Sequence, residues 1–189
     1  MGHTLMFVLV HVRRLLRPIL WLLDEKGADV NATTSGGLTG LHMASSPDIA
    51  TGLLDRGADP TILSDDGCSP LMIQAMYGKA DVVARLLQDM RVRATVNLQH
   101  VGGTSALHMC ACDDMDESSR LATIQFLLKA GAISNLTNAA GMTPLECVQH
   151  YYPTHTNTIA LSNKPQTLKR PGLSSRPAVS SSMPLATTP

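Results

Sequence analysis

Residues 102–114 read GGTSALHMCACDD, and how this stretch is read decides the fold. Within seven residues it holds His108, Cys110, Cys112, Asp113 and Asp114. All five are capable metal ligands, and thiols and imidazoles also serve as nucleophile and base. The alternative is structural: a glycine turn, a hydroxyl that caps a helix, and a leucine that enters a core.

The second reading is favoured because the pattern recurs. GGLTGLHMA (36–44), DGCSPLMIQA (66–75), GGTSALHMCA (102–111) and AGMTPLECV (140–148) each carry Gly, one spacer, Thr or Ser, a small residue or Pro, then Leu. Thr39, Ser69, Ser105 and Thr143 are suited to cap a helix through their hydroxyls. Pro70 and Pro144 fall at the first helical position, where a missing N–H costs nothing. Leu41, Leu71, Leu107 and Leu145 are then expected to enter a core. Between these stretches lies a second recurring element, LLDEKGADVN (22–31), LLDRGADP (53–60) and LLKAGA (127–132), with LLQDMRVRATVN (86–97) as a looser copy. Its leucine pair ends an amphipathic helix, and the glycine supplies a left-handed cap. From each of Gly27, Gly57 and Gly131 to the next capping residue is twelve positions.

On these residues the chain resembles the ankyrin-repeat family, whose repeat of about 33 residues carries a T-P-L-H-x-A signature. The capping residues 39, 69, 105 and 143 are 30, 36 and 38 apart, so each spacing departs from that period. The first repeat is short because ASSPDIATGLL (44–54) leaves almost no inter-helix loop. The second is extended in QDMRVRAT after Leu87, and the third around DDMDESSR (113–120). These changes are expected in loops, which tolerate them. The implied fold is all-α, a solenoid of stacked helix-turn-helix units with short β-turn tips. Residues 1–32 are expected to form a degenerate or truncated N-terminal capping repeat. Repeats then occupy 33–63, 64–99, 100–137 and, in part, 138–152, and residues 153–189 form a disordered basic tail rich in Ser, Thr and Pro.

Composition narrows the function classes. The 189 residues carry 15 basic and 15 acidic side chains, and no acid lies beyond Glu146. No dense basic patch with interleaved aromatics is present, so nucleic-acid binding is not expected. Four cysteines in a chain of this length do not make a disulfide framework, which points to a reducing compartment, the cytoplasm or nucleus. The apolar run from Leu5 to Val12 is too short to span about 30 Å of hydrocarbon, and Arg13, Arg14 and Arg17 follow it. A signal peptide carries its positive charges before such a run. Met6 stands where a myristoylation motif needs Ser or Thr.

The resemblance implies a non-enzymatic adaptor that binds another protein on its concave face, monomeric and without cofactor or metal. It also gives His42 and His108 a structural duty, bonding the backbone and the capping residue across the turn. On a helix His108 and Cys112 share a face but Cys110 lies about 200° away, so one metal cannot collect all three. The partner-binding residues expected are the turn-tip residues Asp65, Asp66 and His100 and the helix-end pair Met76 and Tyr77. An acidic loop of Asp113, Asp114, Asp116 and Glu117 joins them; it lacks the glycine and glutamate of a calcium loop. LDEKGADVNA (23–32) looks like the ankyrin motif recognised by asparaginyl hydroxylase, which marks Asn31 for modification. Two alternatives stand beside the adaptor: an ankyrin fragment of a larger enzyme or channel whose catalytic domain is absent here, and a zinc site on His108 and Cys112.

Overall fold

The computed structural model describes residues 16–110 and 116–151. Among the described residues eight helices follow in chain order: α1 (Leu16–Lys26), α2 (Pro47–Leu54), α3 (Pro70–Met76), α4 (Ala80–Leu86), α5 (Met90–Ala94), α6 (Ala106–Met109), α7 (Glu117–Lys129) and α8 (Pro144–Tyr151). They stack in two layers. α3, α6 and α8 pack in succession in one, and α1, α2, α4 and α7 in the other. Hairpin tips project from the junctions, and among the described residues the only β pairing is the isolated bridge Gln99–Ser105. Helices of four to thirteen residues are too short to hold alone, so stability comes from neighbouring repeats burying one continuous core. Leu41, Leu53, Leu71, Leu86, Leu107 and Leu127 all lie in it.

The start and stop signals act as the sequence implies. Ser69 Oγ accepts from the Met72 N–H at 3.3 Å, with Pro70 opening α3. After α2 the chain reverses through Gly57 at φ +84°, and the Ala58 N–H returns to Leu53 O at 3.0 Å, the 6→1 bond of a Schellman cap. The turn glycines meet a second constraint. Gly103 sits at φ +71°, and a Cβ there would lie 2.8 Å from the Ala139 N of the next tip, which donates to Gly102 O at 3.0 Å.

Four expectations need correction. Thr39–Met43 forms only overlapping turns, because Gly40 stands where other repeats have Pro or Ala and Pro47 follows at once. QDMRVRAT is not a loop: Asp89 caps α5 through the Arg91 N–H at 2.8 Å, and the buried Val92 pins it to the core. Half of DDMDESSR is helix, since Asp116 caps α7 and Arg120, the first residue of its second turn, is fully buried with Nη1 donating to Cys110 O. Leu145 is half-buried, being in the last helix of the described residues. Residues 1–15, 111–115 and 152–189 lie outside the described residues, and with them the tail, Cys112, Asp113 and Asp114.

Candidate protein-binding groove

The histidines that opened the question are occupied. His42 Nδ1 accepts from the Thr39 N–H at 2.9 Å and contacts Thr39 Oγ1 at the same distance, so the ring proton sits on Nε2, which donates to Cys68 O of the next repeat at 3.0 Å. His108 repeats the arrangement with Ser105 at 3.2 and 2.9 Å, and with Met142 O at 3.1 Å. Burial pushes both imidazole pKa values down, keeping the rings neutral. Cys110 is buried at the small-residue position of Ala44. Each histidine thus ties one repeat to the next, and its Nδ1 lone pair is already used.

Such ties are unevenly distributed. Between the first and second fingers run the His42 bond, an Asp65 N–H to Gly36 O bond at 3.1 Å, and the Asn31 amide, which donates to Gly57 O at 3.3 Å and accepts from the Asp59 N–H at 2.7 Å. Between the third and fourth fingers the same roles fall to His108, the Ala139–Gly102 bond and Asn97, whose amide meets Gly131 O at 3.0 Å and the Ile133 N–H at 2.7 Å. The second finger carries Met72 and Thr61 at the equivalent positions, and among the described residues no backbone bond joins its tip to the third.

Two adjoining cavities open where the paired helices of successive repeats connect. One, of about 530 Å³, is lined largely by apolar groups including Leu38, Met43, Ala44 and Ile73. The other, of about 670 Å³, is polar and reaches Asp48, Asp81, Asp116, Ser118 and Ser119. Ser45, Tyr77 and Lys79 line both, making one groove across three repeats. Tyr77 caps the C-terminus of α3 and is 52% exposed. Asp116 is exposed, and the Ser118 hydroxyl, then the Ser119 N–H, hold its carboxyl down at about 2.

Of the residues expected to bind, Tyr77 and Asp116 line this groove together. Met76 does not, because it packs half-buried against the core. Asp65 and Asp66 are exposed on the second tip. His100 is half-buried and engaged within its own turn, its Nδ1 accepting from the Gly102 N–H at 2.6 Å. Ser64 and Asn138 do the same with side-chain oxygens in their turns, so position 100 builds the tip. Glu117 lies half-buried in the first turn of α7. Sequence reasoning missed Ser45 and Lys79, in the inter-helix connections, and Asp48 and Asp81, in the first turns of the helices that follow them. It also missed Gln74, though a signal existed: the matching positions hold Ala44, Cys110 and Val148, so a lone amide there breaks the pattern. Among the described residues, no group of three His, Cys, Asp or Glu side chains could hold a metal ion, and no helix is long and apolar enough to cross a membrane.

Comparison with known proteins agrees with this architecture. A family model of ankyrin repeats, three copies, matches residues 41–138. The human transient receptor potential cation channel subfamily A member 1 is 31% identical over 121 residues, 62% of this chain and 10% of that protein. The chain thus spans about a tenth of the length of this relative.

Proposed function

This chain belongs to the ankyrin-repeat family by its residues 41–138, and from that premise we propose that it is a non-enzymatic adaptor binding another protein in the groove around Tyr77. The observation that carries this is Tyr77 itself, a half-exposed aromatic at a helix end that lines both cavities. Aromatic side chains with one open face dominate binding energy at protein interfaces. The repeats are read as 33–63, 64–99, 100–137 and a partial 138–152, with 1–32 as a cap; residues 153–189 lie outside the described residues. The protein acts as a monomer in the cytoplasm or nucleus, without nucleic acid, metal or cofactor. The test is affinity capture from cell extract with the full chain and with Tyr77→Ala, at equal folded fraction by circular dichroism. Proteins held by the first and lost by the second are expected; an identical set from both would sink the groove as the binding face.

The similarity to a channel subunit favours a second reading, in which these repeats are the ankyrin segment of a larger channel or enzyme. Sequencing of full-length transcripts decides it, and a gene yielding no longer product rules it out. Asn31 is also proposed as a substrate of asparaginyl hydroxylase. Its amide already bridges Gly57 and Asp59, so structural and modified roles coexist. Peptide mass spectrometry without a +16 shift on Asn31, in cells expressing the hydroxylase, would refute that role.

A further inference from the structure

The chemistry of the groove narrows what enters it. Three aspartates line the polar cavity, but each has a local explanation. Asp48 and Asp81 lie in the first turns of α2 and α4, and Asp116 caps α7, where a carboxylate answers the helix dipole. Alone they imply no ligand. The groove lining adds an independent observation. Gln74 is 1% exposed and lines the apolar cavity, its amide nitrogen donating to Leu41 O at 3.2 Å and His42 O at 2.8 Å. Those two bonds fix the amide orientation, and its Oε1 has no hydrogen-bond partner among the described residues. Ser45, which lines both cavities, has an Oγ in the same condition. A buried acceptor without a donor costs roughly 1–3 kcal/mol, and an amide carbonyl can be satisfied only by a donor. The guest must bring N–H or O–H groups to the apolar half of the groove, and it meets three carboxylates in the other half.

We propose that the groove takes an extended segment of a partner protein in which an apolar side chain stands two positions from a lysine or arginine. Alternate side chains of an extended strand share a face, about 6.6 Å apart, so the pair can enter adjoining cavities. The apolar side chain packs beside Met43 and Ile73, and N–H groups of the segment donate to Gln74 Oε1 and Ser45 Oγ. The basic head lies among Asp48, Asp81 and Asp116. Lys79, at the junction of the cavities, opposes that head and limits affinity. This assignment rests on the groove being the protein-binding face.

The probe is an acetylated, amidated eight-residue peptide with leucine and arginine two positions apart in a glycine–serine background. It is titrated into the ¹⁵N-labelled full chain and followed at the Ser45 and Tyr77 amides. Saturable shifts are expected. They should weaken roughly ten-fold or more when the peptide arginine becomes glutamine, its leucine glycine, or the protein carries Asp81→Asn. Gln74→Leu should weaken binding too, with Asp81→Asn the informative variant if that substitution unfolds the chain, and Lys79→Gln should strengthen it. Absence of shifts, or equal binding by a glutamate-for-arginine peptide that still needs Tyr77, overturns the assignment; the second result leaves the groove standing. Binding indifferent to Tyr77→Ala removes the groove reading as well. Peptide binding that tightens in Lys169→Ala/Arg170→Ala would make the chain's own basic segment the occupant and overturn the assignment to a partner.

Discussion

Replacing His42 with leucine isolates the energetic value of one inter-repeat tie. The substitution leaves the Thr39 N–H, which donates to Nδ1 at 2.9 Å, without an acceptor at a buried turn. An orphaned buried donor costs about 1–3 kcal/mol. Cys68 O loses its bond from Nε2 but keeps the one from the Ser64 N–H at 2.9 Å, so its share is about 1 kcal/mol. Added apolar burial by leucine returns up to about 1 kcal/mol, leaving a net loss of about 1–4 kcal/mol. The control is Met72→Leu at the same repeat position, a volume-conserving swap with no polar group to strand, expected to cost less than about 1.5 kcal/mol. Both are measured by urea unfolding of the full chain, followed by far-ultraviolet circular dichroism. Titration adds a second signature. The folded-state pKa of His42 lies below its ordinary 6.5 because burial disfavours the charged ring. Its contribution is therefore present above pH 6.5 and lost as pH falls through the lowered value, the unfolded chain taking up the proton first. The gap between wild type and His42→Leu should close on acidification. A loss no larger than that of Met72→Leu, or a gap that does not change with pH, would refute the reasoning.

Gly103→Ala should lose more stability than Gly131→Ala in the same assay. Both need positive φ, worth roughly 1–2 kcal/mol for alanine, but only at Gly103 does the new Cβ meet the Ala139 N at 2.8 Å. Asn97→Ala removes the bonds to Gly131 O and the Ile133 N–H and should cost about 1 kcal/mol, read as a lower urea midpoint. Met72→His places an imidazole where the matching acceptor, Thr104 O, holds only the His100 N–H at 3.1 Å, and should raise that midpoint. A lowered midpoint would show that the position has no room for the ring.

The repeat frame was legible because it rests on local chemistry with fixed spacing. Gly, Thr or Ser, Pro and Leu specify turn, cap and core entry within five residues, and tertiary context had only to agree. Insertions were less legible. QDMRVRAT gives no long periodic signal, and its helix exists because Val92 finds the core laid down by other repeats. Arg120 looked like part of an acidic surface loop, and its burial depends on a carbonyl ten residues earlier. The groove was half visible. Tyr77 stood out as an aromatic at a helix end, whereas Ser45, Lys79 and Asp81 come together only when the first and second repeats stack. Met76, adjacent to Tyr77 in sequence, packs against the core instead, because successive helical positions differ by about 100°.

The missing ties at the second finger bear on how the groove is held. Its polar half draws Asp48 from the first repeat, Asp81 from the second and Asp116 from the third, so it straddles the seam between the second and third fingers, where among the described residues neither a His nor an Asn bridge is present. On the finger side the molecule is two fastened pairs, first with second and third with fourth, abutting without a rivet. Across that seam α3 packs against α6 and α4 against α7, and the tips meet where Gly67 faces Val101. Opening either pair on the finger side would break a His bond and an Asn bridge, whereas parting the second finger from the third would break neither. The jaw width available to a guest is then set by the same helices that carry Gln74 and Asp81 and that Asp116 caps.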